Sequence, residues 1–281
     1  MKKVDHYTDD AFEFHKTVVS NKRDEHVKTL LSANEAILKD AFDNYDFHFN
    51  GDSLIEIESL NLSHELKKAL LSLYRYDATA FRNLKNSLTT VNGKVVVMCP
   101  MCTIDTIGSF DHILPKEEYA EFVDHPKNLI PCCTTCNSKK NMYWKENGTF
   151  LFLNLYLDNI PEQQYLFLSV TQTESWPILN FSVKNENDID EPIFNRILSH
   201  YSRLNLCRRF EEASGQYLSE IQDSIRSLKD MGQTDDLIQA LLNRMCDKLQ
   251  LREGPNFWKV VLLRNVVSNP ILYSALISDR F

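Results

Sequence analysis

Two short stretches hold most of the side chains able to do chemistry: "CPMCTIDTIGSFDHILPK" (residues 99–116) and "NLIPCCTTCNSKK" (residues 128–140). Each contains a Cys-x-x-Cys pair, Cys99 with Cys102 and Cys133 with Cys136. A tight turn with that spacing presents two thiolates to one metal ion, and two such turns complete a tetrahedral shell. A four-thiolate shell is closed, so it stabilises a loop-rich segment and does no chemistry of its own. Zinc is the expected occupant; iron also takes four thiolates, and nothing in the sequence favours it. The competing reading, reduced core cysteines, has only chance spacing in its favour. Cys132 is left over as a buried thiol, and Cys207 and Cys246 fall on helical patterns as core residues.

A structural zinc has no use for Asp111 and His112, which lie between the two pairs, or for Asn137, which directly follows the last cysteine. A carboxylate and an amide carbonyl are oxygen donors suited to Mg²⁺ or Mn²⁺. An uncoordinated imidazole beside them can take a proton from water. A hard cation with an imidazole base is a recipe for phosphodiester hydrolysis, the cation stabilising the extra negative charge and the base making hydroxide.

In this order the residues "CPMC … DHILPK … NLIPCCTTCNSKK" resemble the HNH endonucleases, over about residues 94–140. The resemblance implies a ββα-metal fold with a zinc knuckle, in which a β-ribbon ends near His112 and a helix beginning around Cys133 carries Asn137. It implies that His112 is the general base and Asp111 a ligand of the catalytic cation. Asn128 would steady the loop that carries the base, and Asn137 would be the second protein ligand, where the founding motif has His. Cleavage would leave a 5′-phosphate and a 3′-hydroxyl. Lys139 and Lys140 would lie on the same helix, within reach of backbone phosphate. The flanks look like those of HNH subunits that work beside an ATPase in Septu-type anti-phage systems, which implies a nucleic-acid substrate and an ATPase or other defence-system partner. The alternative is a non-catalytic, zinc-stabilised subunit that binds nucleic acid or protein.

The remaining chain must position these residues, and it reads as mostly helical α+β. Residues 1–93 form a helical N-terminal region, 94–145 the metal module, and 146–281 short strands followed by helices. Ser63 is a candidate N-cap for a helix with Leu66, Leu70, Leu73 and Tyr74 on one stripe. Asn92-Gly93 signals a turn, and "KVVV" after it a strand running into Cys99. "TFLFLNLYL", "QYLFLSVT" and "ILNFSVK" are further strand candidates. Helical stripes follow at Ile193, Ile197, Leu198, Tyr201 and Leu204; at Ile221, Ile225 and Leu228, closed by Gly232; and at Leu237, Leu241, Leu242, Met245 and Leu249. Arg203, Arg208 and Arg209 read as a solvated face, and Asp105 as a turn residue. His6, His15, His26, His48, His64, His125 and His200 read as surface residues.

A net charge of −8 argues against binding nucleic acid through bulk electrostatics and leaves that task to a local patch or a bound cation. Five of the seven cysteines fall between Cys99 and Cys136, a clustering that points to metal ligation in a reducing compartment. No stretch is apolar enough to span a bilayer, and the N-terminus lacks the apolar run of a signal peptide. A cytoplasmic protein is expected.

Overall fold

Aspartate and serine caps set the first helices. Asp10 accepts from the backbone N–H groups of Phe12 and Glu13 to start α1 (Ala11–Ser20), and Asp24 starts α2 (Glu25–Ala33) in the same way. After α3 (Glu35–Asn50), Ser63 accepts from Leu66 N–H and starts α4 (His64–Leu71). The stripe expected on that helix outlasts it: α4 ends at Leu71, and Tyr74 lies in the connection to α5 (Thr79–Thr89). Asn92 and Gly93, both at positive φ, turn β1 (Thr90–Val91) into β2 (Lys94–Val95). The expected strand through "KVVV" stops there, because Val96 and Val97 bond one at a time to Thr89 and Ile107.

The computed structural model describes residues 1–278, so the last three residues of the C-terminal region lie outside it. It divides into two compact units, Lys3–Asp158 and Asn159 onward with Met1 and Lys2. In the first unit, β3 (Ser109–His112) pairs antiparallel with β4 (Leu129–Cys132), His112 opposite Leu129. Cys133 caps α6 (Thr134–Lys140), so a two-stranded ribbon leads directly into a helix. Phe12, Phe42, Leu70 and Phe81 from the helices share one core with Phe110, Val123 and Leu129 from the ribbon and its connecting loop.

The unit closes with β5 (Lys145–Glu146), β6 (Thr149–Phe150) and a buried turn. "TFLFLNLYL" is a strand only at its first two residues. Asn154 and Asp158 then turn the chain by accepting from Tyr156 N–H and Asn154 N–H, and Tyr156 donates its hydroxyl to the Leu129 carbonyl. A continuous apolar run reads the same whether it is a strand or a buried cover for one.

In the second unit β7 (Leu166–Thr171) and β8 (Ile178–Val183) form an antiparallel hairpin. It is followed by α7 (Glu191–Arg203), α8 (Leu206–Asp230), α9 (Asp235–Glu253), α10 (Trp258–Ser268) and α11 (Pro270–Ile277). Gly232, at φ +76°, closes α8, with Gln233 N–H bonding to the Leu228 carbonyl. On α7 Leu198 is exposed, and His200 fills the core position beside Tyr201 instead. On α9 the buried face is Ile238, Leu242 and Cys246, leaving Leu237, Leu241 and Met245 in solvent. Arg209, expected on a solvated face, is buried and donates to the Leu204 carbonyl. The mixed, mostly helical α+β architecture is as expected. Among the described residues no single helix is long and apolar enough to cross a membrane, and the apolar pair α10–α11 bends by 86°.

Candidate metal centre and adjoining cavity

Cys99, Cys102, Cys133 and Cys136 are all buried, and their sulfur atoms lie within 4.8 Å of one another. A tetrahedral shell with Zn–S bonds of about 2.3 Å has sulfur–sulfur edges of about 3.8 Å. Cys102 Sγ and Cys133 Sγ are 3.8 Å apart. The turns are tied in the manner such a shell needs: Cys99 N–H bonds to the Asp105 carbonyl, and Cys136 N–H donates to Cys133 Sγ at 3.3 Å. Mutual hydrogen bonding drives the Cys102 and Cys133 thiols down and pushes Cys99 and Cys136 up, the pattern of four thiols crowded around one point where a cation would favour the thiolates. The donor set and spacing suit a structural metal such as zinc. Cys132 points elsewhere, a buried thiol beside the Ser109 hydroxyl at 3.4 Å.

A cavity of about 250 Å³ lies against the ribbon, with Tyr74, Asp111, His112, Lys116 and Asn137 on its walls. His112 is tethered through Nε2, 2.9 Å from the Val123 carbonyl. A carbonyl only accepts, so Nε2 carries the proton and Nδ1 keeps its lone pair. Burial pushes the imidazole down to about 3, and the charges of Lys116 and Lys140 act in the same direction, so the ring is neutral at pH 7.

Asp111 is 2% exposed, and burial raises its carboxyl to about 6 against the pull of Lys140. Lys140 Nζ sits 3.2 Å from Asp111 Oδ2 and donates to the His112 carbonyl at 2.6 Å. Of the two lysines expected to face phosphate, only Lys139 is exposed; Lys140 turns inward. Asn137 donates Nδ2 to the Phe110 carbonyl at 3.2 Å, so Oδ1 remains as its free oxygen donor.

Asn128 is fully buried and does not line that cavity. Its Oδ1 accepts from Leu114 N–H at 2.8 Å and from the Tyr45 hydroxyl at 3.3 Å. Its Nδ2 donates to the carbonyls of Leu114 and Phe122, each at 3.1 Å. It thus locks the chain two residues after His112 to the chain one residue before the carbonyl that holds the imidazole. Asn128→Ala strands these backbone groups in the interior and is expected to destabilise the protein by about 3 kcal/mol. Chemical denaturation checks this, and a loss below about 1 kcal/mol would show that water replaces the amide.

Sequence reading missed the residues that clamp this loop. His15 and His125, expected at the surface, are buried, as is His200 in the second unit. His15 Nδ1 meets Asp124 Oδ2 at 2.9 Å across 109 residues, joining α1 to the loop before β4. Burial opposes charging His15, but the Asp124 carboxylate outweighs it and raises the imidazole. His125 packs against Phe42 and Tyr45, with ring centroids 4.6 and 4.1 Å away, and burial holds it well below its ordinary value. Lys127 pairs with Asp46 at 2.9 Å. No local pattern signals partners so distant in sequence. Tyr74 was the second omission: its hydroxyl bonds to both the N–H and the carbonyl of Phe110 at 3.3 Å, and its ring edge meets His112 at 4.8 Å.

No family model matches the chain, and no solved structure matches it. Among curated proteins it is similar to Protein ea31 of Escherichia phage lambda, 26% identical over 179 residues that cover 58% of this chain and 59% of that protein. The chain therefore spans less than two thirds of that relative's length.

Proposed function

We propose that this chain is a metal-dependent endonuclease of the HNH type that hydrolyses phosphodiester bonds, with DNA favoured over RNA as substrate. The observation that carries the proposal is His112: its Nε2 is fixed on the Val123 carbonyl, and Nδ1 is left in a cavity shared with Asp111 and Asn137. Zinc in the four-cysteine cluster would hold Asn137 in place, since Asn137 follows Cys136 directly. Asp111 and Asn137 would hold Mg²⁺ or Mn²⁺, which supplies charge stabilisation at the phosphate and the leaving oxygen. The donors suit such an ion by type, and because Lys140 occupies Asp111 Oδ2, the ion must take Oδ1 or displace the ammonium.

His112 Nδ1 would accept the proton of the attacking water. Burial is the main cause that holds His112 down; a phosphodiester in the cavity would offset only the lesser contributions of Lys116 and Lys140, shifting the ring toward higher basicity. Zinc-loaded protein is expected to cleave plasmid, single-stranded DNA or RNA with Mg²⁺ or Mn²⁺ and not with EDTA. Equal cleavage with and without EDTA would sink the two-metal assignment.

A second reading, a zinc-stabilised binding module without catalysis, draws on Lys140, whose ammonium already neutralises Asp111. Calorimetric titration of zinc-loaded protein with Mn²⁺ separates the two: a second site supports the nuclease, and its absence supports the module. A role in anti-phage defence beside an ATPase rests only on the likeness of the flanks to those of Septu-type subunits. Copurification of an ATPase from the native host would support it, and recovery of the fully active chain alone would count against it.

A further inference from the structure

The connection between α4 and α5 has a cavity on each side. Tyr74 forms a wall of the cavity at His112, while its neighbours Leu73 and Arg75 border a larger groove of about 590 Å³. Tyr74 thus sits in the chain between two residues that border the groove, while its own side chain borders the cavity at His112. Phe81, at the floor of the groove, packs edge-on against that ring with centroids 5.3 Å apart.

The groove carries a small net positive charge in a chain that is acidic as a whole. Lys22, Arg23 and Arg75 line it beside Asp24 and Asp77. Arg23 has no ion-pair partner among the described residues. Arg75 has only Asp77, 3.7 Å away with both side chains largely exposed, a pairing worth little in water. Asp24, also on the wall, caps α2 with its carboxylate and keeps its negative charge. Lys22 donates to the Ser72 carbonyl; burial and the charge of Arg75 depress its amine, and the Asp24 carboxylate acts the other way. Cations drawn close enough to oppose one another are relieved by an anion between them. The first turn of α5, which has no side-chain cap, opens on the same groove. On the other side of Tyr74, Lys116 Nζ stands 5.3 Å from the ring centroid. Cations thus stand on both sides of Tyr74, Lys116 at its ring and Arg75, Lys22 and Arg23 in the groove, with Glu117, Asp24 and Asp77 also on the walls.

We propose that this groove binds phosphodiesters of the substrate strand flanking the one held at His112, so that the N-terminal helices supply the nucleic-acid track that the metal module lacks. The proposal rests on the nuclease reading for the identity of the strand. Contacts of this kind are made to backbone phosphate and carry no base information, so they favour long substrates over short ones and set register on the strand.

The test measures binding of fluorescein-labelled single-stranded and duplex oligonucleotides by anisotropy. It uses full-length, zinc-loaded protein with Ca²⁺ replacing Mg²⁺, across a salt series. The first variant, Arg23→Gln/Arg75→Gln, alters two exposed side chains and is expected to fold as the wild type does. A second adds Lys22→Gln. For the double variant the expected result is at least about 5-fold weaker binding and a slope of log K against log salt shallower by about 1.5. The triple variant should flatten the slope further. Unchanged affinity and slope would overturn the proposal, as would a wild type that binds no oligonucleotide at low salt. Cleavage by the wild type in Mg²⁺ is read on the same oligonucleotides. Its absence would fail the nuclease reading, while the binding comparison still decides the groove.

Discussion

His112→Ala is expected to lower the rate of nucleic-acid cleavage by about 10²- to 10⁴-fold, the range set by loss of a positioned general base. The expectation follows from the geometry around one ring. Nε2 is committed to the Val123 carbonyl, Tyr74 packs edge-on against the imidazole, and Nδ1 is the single nitrogen free to take a proton. Because the ring is buried, alanine also leaves a void and strands the Val123 carbonyl. Melting temperature and zinc content must therefore be measured beside the rate. Loss of cleavage with zinc retained and most of the stability intact assigns the base to His112. Full cleavage by the variant would remove His112 from the mechanism and, with it, the strongest reason to read the cavity as catalytic.

The second large effect is expected from the cysteines. Structural zinc in small peptides carries about 10–16 kcal/mol of apparent binding energy, comparable to the whole stability of a typical domain, about 5–15 kcal/mol. Cys136→Ser, or prolonged treatment with a strong chelator, is expected to unfold the segment from Cys99 to Lys140 and to abolish cleavage, since Asn137 loses its anchor. Elemental analysis should find one zinc per wild-type chain and less than one in the variant. Circular dichroism melts should show the loss of stability. A metal-free, reduced wild type that melts unchanged would show that the four thiols are core residues after all. Thermal shift and cleavage read together also separate the roles of the two metals. EDTA at low concentration should stop cleavage first, because a cation on two oxygen donors is held far more weakly than zinc on four thiolates.

Residue type and spacing alone located both halves of the metal centre, because Cys-x-x-Cys is a local geometry that one turn enforces. The same holds for the caps at Ser63 and Gly232 and for the turn at Asn92-Gly93, each of which depends on backbone conformation within a few residues. The resemblance to HNH endonucleases also implied a ribbon followed by a helix with Asn137 on it, and β3, β4 and α6 have that order.

Other features were decided by contacts between distant segments. On α9 two ladders with the same four-residue spacing overlap, Leu237-Leu241-Met245 and Ile238-Leu242-Cys246. Both are apolar, and only the neighbouring helices determine that the second is buried. Lys140 reads as an exposed phosphate contact until the fold turns it onto Asp111, because a long cationic side chain follows whichever carboxylate lies nearest. His15 and His125 look like surface residues because the sequence gives no sign of Asp124 across 109 positions or of the aromatic walls Phe42 and Tyr45. Sequence by itself singled out the four cysteines whose type and spacing suit a metal, and Asp111, His112 and Asn137 as the candidates for chemistry, since residue type and short spacing are local. Tertiary structure alone decided which of them are buried, which carboxylate is already paired, and that Tyr74 lines the cavity, because burial and long-range pairing belong to the packed chain.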